Sequence, residues 1–169
     1  MKITLLTSTL TIALVTGNAM ANELVPEIYV NDSSAAVNLI KNAAMNYAKF
    51  WNTGEENYAR EALATNFIDK TPPEGRKAGI EGVLEASSNF RKAVPDLHVT
   101  VEHLLITGEF ATIRYRFKGH FSGAMGDQKG ENQTIDFPAV DIYQVQEGKI
   151  VNNWHMEDYN TFFTQAGVK

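Results

Sequence analysis

Residues 137–158 read FPAVDIYQVQEGKIVNNWHMED. Two β-rich runs, Ala139 to Val145 and Ile150 to Met156, flank Gln146-Glu147-Gly148. The spacing predicts an antiparallel hairpin with a three-residue loop, in which Gly148 supplies the positive φ. With Val145 facing Lys149, Asp141 faces Asn153, and His155 stands one diagonal step away on the same face, because side chains alternate with period two. A carboxylate and an imidazole then come within reach of each other. A two-residue loop reverses the parity and turns His155 to the other face, so the chemistry hangs on this turn.

Upstream, Lys2 precedes an apolar stretch from Ile3 to Val15, and Gly17 to Ala21 ends in a small-x-small pattern. This is the form of a secretory signal peptide over residues 1–21, cleaved after Ala21. The apolar run is too short and too rich in Thr and Ser to span a bilayer, so no membrane association is expected after cleavage. Removing 21 residues from 169 leaves 148, enough for one compact domain. The expected location is exported, in the periplasm or the extracellular space of a bacterium. The cleaved chain carries 14 Lys and Arg against 20 Asp and Glu, which argues against a nucleic-acid partner. It contains no cysteine, which excludes disulfides, thiol catalysis and Cys-ligated zinc.

Residues 22–32 read as an extended N-terminal arm around Pro26, and residues 33–169 as the domain. Behind Ser33 or Ser34 as N-cap, Val37, Ile40, Ala44, Tyr47, Ala48 and Trp51 recur at helical spacing, and Asn52-Thr53-Gly54 stops the helix. A short helix over Glu55 to Ala64 and a strand over Asn66 to Lys70 follow. A polar loop from Gly75 leads to a third helix from Gly79 to Val94, closed by Pro95. Thereafter the pattern is β: alternation at Leu97, Val99 and Val101, then a strand over Phe110 to Phe121. Ser122 to Gln133 reads as a Gly-rich loop forming a rim over a cavity mouth. The hairpin comes next, and Tyr159 to Ala166 is a tail helix ending at Gly167. Helices first and antiparallel strands after is an α+β order, with the helices packed on one face of a curved sheet.

Asp141 and His155 are the candidate catalytic pair: the carboxylate orients the imidazole, whose free nitrogen takes a proton next to a carbonyl. The same two groups equally serve as a hydrogen bond that pins the hairpin. Tyr47, Trp51, Tyr115, Phe117, Phe137, Tyr143 and Asn153 are candidate pocket-lining residues for a flat, apolar or aromatic ligand, although most of such residues simply fill cores. Asp158 reads better as the N-cap of the tail helix than as a catalytic group. Arg114, Arg116 and Lys118 form one stripe, read as a solvated or dimer-facing sheet surface, consistent with a homodimer through the sheet. The histidines follow no metal spacing, and no cofactor motif is found.

The segments Phe50-Trp51-Asn52-Thr53-Gly54, Gly79-Ile80-Glu81-Gly82, Ala93-Val94-Pro95-Asp96-Leu97, Glu147-Gly148-Lys149-Ile150-Val151 with Trp154, and Gln165-Ala166-Gly167 occur in the order and spacing of SnoaL-like polyketide cyclases. The chain resembles that family over nearly all of residues 33–169. The resemblance implies an NTF2-like fold, a cone-shaped roll enclosing a pocket. It also implies cofactor-free acid/base chemistry, in which an Asp just after the Trp position exchanges a proton during an aldol ring closure and a His on the preceding strand assists. Here the position after Trp154 is His155, and the His position is Asp141: the two residue types are exchanged. Gly119-His120-Phe121-Ser122-Gly123 carries its histidine one place away from the family pattern. Lys70 follows Asp69 where relatives commonly have His. Asp158, His120 and Asp69 are therefore secondary candidates.

Two functions are expected to compete. One is an exported enzyme that cyclises, isomerises or hydrolyses a small carbonyl compound using Asp141 and His155. The other is a non-catalytic ligand-binding or dimeric assembly module of the same fold.

Overall fold

The computed structural model describes residues 27–30 and 35–168. The expected signal peptide and the caps Ser33 and Ser34 lie outside the described residues. Twelve elements follow in order: β1 (Glu27–Val30), α1 (Ala35–Thr53), α2 (Glu56–Ala62), β2 (Leu63–Asp69), α3 (Gly79–Ala93), β3 (His98–Thr107), β4 (Phe110–Phe121), β5 (Ala124–Met125), β6 (Gln128–Lys129), β7 (Gln133–Gln146), β8 (Lys149–Glu157) and α4 (Tyr159–Ala166). The architecture is α+β, with four helices on one face of a curved, unclosed sheet.

That sheet has the order β1-β3-β4-β7-β8-β2. Its four central strands are antiparallel, whereas both edges, β1 on β3 and β2 on β8, run parallel. Residues 27–30 of the predicted arm thus form an edge strand. Alternation decides which side chains enter the core. In β4, Ala111, Ile113, Tyr115 and Phe117 are buried, while Arg114, Arg116 and Lys118 point away. In β7 the inward set is Ile135, Phe137, Ala139, Asp141, Tyr143 and Val145. Against this face α1 lays Val37, Ile40, Ala44, Tyr47 and Phe50, all buried. Gly54 takes φ 77° and returns its N–H to the Phe50 carbonyl at 2.7 Å, which ends the helix. Asn52 Oδ1 accepts from the Val99 N–H at 2.8 Å, tying that end to β3.

The decisive hairpin is built differently from the expectation. Its loop has two residues, Glu147 (φ 50°) and Gly148 (φ 75°), joining the facing pair Gln146 and Lys149. Positive φ at both central positions is the turn whose twist suits a hairpin. Left alone, this loop would send His155 to the outer face. Beyond the pair Val145 and Ile150 the register shifts, and Gln144 faces Asn152, so Val151 is an extra residue on β8. The bulge restores the parity. Asp141 therefore faces His155 directly, one pair closer than the diagonal expected.

Residues 122–133 also differ from the expectation. They contain the short β5–β6 ribbon and dock on the end of α3, where the Ser122 and Gly123 N–H groups donate to the Ala93 carbonyl at 3.2 and 3.0 Å. A Cβ at Gly123 would stand 1.8 Å from the Lys92 carbonyl oxygen, so only glycine permits this contact. The segment contributes nothing to the cavity wall.

Candidate active site

A cavity opens between α1, α3 and the inner face of β4, β7 and β8. The space that the centres of water molecules can occupy is about 80 Å³, and the empty volume, which includes space open to solvent, is about 610 Å³. One water needs roughly 10–15 Å³ of the first measure. The cavity therefore holds a few waters or a small reacting group.

Six of the seven expected lining residues do line it: Tyr47, Trp51, Tyr115, Phe117, Phe137 and Asn153. Tyr143 lies one layer beneath, with its ring under Tyr47 at 5.6 Å and its hydroxyl on the site's carboxylate. Phe117 and Phe137 stack at 5.3 Å, and Phe90 meets both edge-on. These rings supply apolar walls that favour a flat ligand.

Asp141 and His155 share the cavity, but they belong to two separate hydrogen-bond sets. Asp141 is 5 % exposed. Its Oδ2 accepts from the Tyr143 hydroxyl at 3.0 Å and from Asn153 Nδ2 at 3.2 Å. The Tyr143 hydroxyl meets the Tyr115 hydroxyl at 2.7 Å. With the Tyr143 proton committed to Asp141, Tyr115 is the donor in that contact, and the chain runs from Tyr115 through Tyr143 to Asp141. Among the described residues no hydrogen bond falls on Asp141 Oδ1, which leaves that oxygen to the cavity. Burial, helped by the charge of Glu157, pushes the carboxyl from 3.8 up to about 7; the charge of His155 and the two hydrogen bonds only moderate the rise.

His155 has no nitrogen to spare. Its Nδ1 meets Glu157 Oε1 at 2.9 Å, and its Nε2 meets the Asp69 carboxylate at 3.0 and 3.1 Å. The side chains of His155 and Asp69 are only 5 % and 6 % exposed. Burial by itself would lower the imidazole, but the hydrogen bonds and charges of Asp69 and Glu157 outweigh it and lift it from 6.5 to about 10. At neutral pH the ring is therefore a cation donating from both nitrogens. This corrects the sequence reading, in which Asp141 orients a neutral imidazole that takes the proton. The carboxyl whose pKa lies near neutrality is Asp141, and the carboxylates that hold the imidazole are Asp69 and Glu157.

The neighbouring backbone explains how Asp69 arrives there. β2 runs parallel to β8 with Asp69 beside Asn153, and the Lys70 N–H donates to the Asn153 carbonyl at 2.8 Å. Thr71 Oγ1 accepts from the His155 N–H at 2.8 Å and donates to its carbonyl at 3.1 Å. Arg76, from the loop between β2 and α3, reaches Asp69 Oδ2 at 3.1 Å and forms part of the mouth. Tyr159, at the start of α4, forms another part, its hydroxyl pushed up to about 12 by burial and by the charge of Glu157.

Of the secondary candidates, only Asp69 joins the site. His120 points outward, with Nδ1 2.7 Å from Asp96 Oδ2. Asp158 caps α4, accepting from the Thr161 N–H at 2.9 Å and from its hydroxyl at 2.7 Å. Glu157, Arg76, Phe90 and Tyr159 were not anticipated. Glu157 was findable, since it lies two residues beyond His155 on the same strand face; Arg76 sits in a loop that carries no periodicity to place it. Among the described residues no group of three or more His, Cys, Asp or Glu can hold a metal ion. Asp69 and Glu157 take opposite edges of one imidazole and do not converge.

The family profile described as SnoaL-like polyketide cyclase matches residues 41–166. Among solved structures, a candidate polyketide cyclase from Bacillus cereus ATCC 10987 is 35% identical, with a TM-score of 0.76 over 88% of this chain and 96% of that one. TsrD from Streptomyces laurentii is 20% identical, with a TM-score of 0.70 over 78% and 97%. Wild-type IdmH from Streptomyces antibioticus, a candidate polyketide cyclase, is 21% identical, with a TM-score of 0.67 over 76% and 99%. The last two establish likeness of fold. Among curated proteins nothing matches.

Proposed function

We propose, from the premise that this chain belongs to the SnoaL-like polyketide cyclase family, that it is a cofactor-independent acid/base enzyme acting at the carbon beside a carbonyl in a small, neutral, largely apolar compound. The observation that carries the reading is the carboxyl of Asp141: buried in an aromatic cavity, held by Oδ2, open at Oδ1, and titrating near 7. Such a group is matched to exchanging protons with carbon acids at neutral pH. Asp141 Oδ1 removes a proton from the α-carbon. The electron pair moves to the carbonyl oxygen, where the adjacent imidazolium of His155 and the guanidinium of Arg76 favour the enolate through their charge. With a second carbonyl in the same molecule, the α-carbon attacks it, one C–C bond forms, and the proton on Asp141 passes to the new alkoxide. Without one, return of the proton to another carbon is an isomerisation.

Around Asp141 two charges of each sign, Asp69 and Glu157 against His155 and Arg76, balance one another, which suits a ligand without net charge. The test is deuterium exchange at the α-carbon of 2-tetralone in D2O, followed by NMR. Saturable exchange by the purified protein supports the enzyme; saturable binding with no exchange supports the non-catalytic module instead.

Two further readings accompany this one. Val140, Ile142, Met156 and Ile68 are exposed together on the outer sheet face, Met156 at 76 %, and we read this patch as the contact of a homodimer. Met156→Asp is expected to turn a dimer into a monomer by analytical ultracentrifugation; a wild-type monomer at high concentration refutes it. Export is read from the leader pattern of residues 1–21. The mass of the chain recovered outside the cytoplasm should then begin at Asn22, and retention of the full 169 residues would refute cleavage.

A further inference from the structure

The geometry points to Asn153 as a specificity residue: its side-chain oxygen is a hydrogen-bond acceptor reserved for a hydroxyl of the ligand, so the site selects phenolic or enolic carbonyl compounds. The inference rests on the aromatic-cavity reading above and adds the ligand's polar group to it. Asn153 is 3 % exposed, lies on β8 opposite Tyr143, and lines the cavity. Its Nδ2 is spent on Asp141, 3.2 Å away. Its Oδ1 is buried and has no hydrogen-bond partner among the described residues.

The amide cannot turn over to relieve this. Rotation would bring Oδ1 onto Asp141 Oδ2, setting two acceptors face to face in a dry site whenever Asp141 is ionised, which is the state in which it acts as a base. Nor does either nearby tyrosine supply a donor, because the protons of Tyr115 and Tyr143 are committed along the chain that ends on Asp141. His155 has both nitrogens on carboxylates. The donors of Tyr115, Tyr143, His155 and the Asn153 amide are thus used, and one acceptor is left over. Buried polar groups without partners are rare in native proteins, and a site built around one discriminates strongly against ligands that cannot fill it. Asn153 and Asp141 stand side by side on the same wall. A ligand hydroxyl on Asn153 Oδ1 therefore places the neighbouring carbon over Asp141 Oδ1, a juxtaposition that an enol or an ortho-acylated phenol provides.

The test compares 2-naphthol with 2-methoxynaphthalene, which keeps the rings and cannot donate. Binding is measured by calorimetry at about pH 8, above the Asp141 value of about 7. Wild type is expected to prefer 2-naphthol by about 10- to 100-fold. Asn153→Leu is expected to abolish that preference while keeping its affinity for 2-methoxynaphthalene within a few-fold of wild type. Asn153→Ala serves the same purpose without added bulk should Leu prevent folding. Equal wild-type affinities, or a preference that survives in a folded variant, overturn the Asn153 assignment and leave the cavity reading standing. Failure of wild type to bind either probe overturns the aromatic cavity and this inference together.

Discussion

Asp141→Asn is expected to slow α-deuterium exchange into 2-tetralone by at least about 10²-fold, to keep ligand affinity within a few-fold, and to stabilise the folded protein at neutral pH. The first effect follows from loss of the cavity carboxylate oxygen, Asp141 Oδ1, on which no hydrogen bond falls among the described residues. The third follows from linkage. A carboxyl raised from 3.8 to about 7 on folding holds its proton more tightly in the folded state. That penalty is absent below the unfolded value of about 3.8, grows as the pH rises, and is complete above about 7. The displacement corresponds to on the order of 4 kcal/mol, and an amide at this position never incurs it. The isosteric amide also keeps an acceptor for the Tyr143 hydroxyl. Urea denaturation at pH 5 and pH 8 checks the stability, with the gain of the variant expected to be larger at pH 8. A variant that exchanges normally, or that unfolds more easily at pH 8, would refute the assignment of Asp141. A stabilised variant without activity is the pattern expected where an active site holds a group that the fold alone would not choose.

Asp69→Ala is the second large effect. It removes one wall of the imidazolium clamp and leaves a buried cation with Glu157 as its remaining hydrogen-bonded carboxylate, and breaking such a set by deleting one partner costs about 3–5 kcal/mol. The pH dependence gives the direction. His155 is raised from 6.5 to about 10, so its contribution is fully present below 6.5 and is lost as the pH rises through 10. Without Asp69 the imidazole titrates lower, and the loss of stability moves to lower pH. Activity should respond from both sides. In wild type the rate rises through about 7, as Asp141 ionises, and falls through about 10, as His155 loses its charge. In Asp69→Ala the upper limb descends, and once His155 is neutral the carboxyl of Asp141 loses the charge that moderated it and rises. The bell narrows from both ends. NMR titration of the His155 ring and a pH–rate profile on 2-tetralone measure the two limbs; an unchanged upper limb would show that Asp69 does not sustain the imidazolium.

Asp141 and His155 came to the same face for a reason other than the one the hairpin spacing suggested. The sequence stretch Gln146-Glu147-Gly148 supports a three-residue loop with one positive φ, and nothing local declares that Glu147 also adopts φ 50°. The shorter turn and the bulge at Val151 each reverse the parity, and together they cancel. A hydrophobic pattern already demanded that outcome, because Ile150 must face the core while Asn153 and His155 share the cavity wall, and burial of one face selects the register that satisfies it.

Order and kind of element were legible in the chain because they rest on local periodicity. Spacing at 3.6 marked α1 and α3, alternation marked β3, β4, β7 and β8, and Asp158 before Tyr159 and Gly167 after Ala166 bounded α4, where the structure places them. The aromatic lining was legible on the same grounds, since residues two apart on a strand share a wall. The partners of His155 were not. Asp69 lies 86 positions away and reaches the imidazole only because β2 docks parallel to β8, a pairing between strands far apart in sequence that no periodicity encodes. That contact converts the histidine from a candidate base into a fixed cation. Burial beneath α1, which is a property of the assembled layers, converts Asp141 from an ordinary carboxylate into one that titrates near neutrality. Residue type and spacing thus settled the fold and the walls of the cavity, whereas protonation states, and with them the division of labour, were decided by long-range packing that sets solvent exclusion and charge proximity.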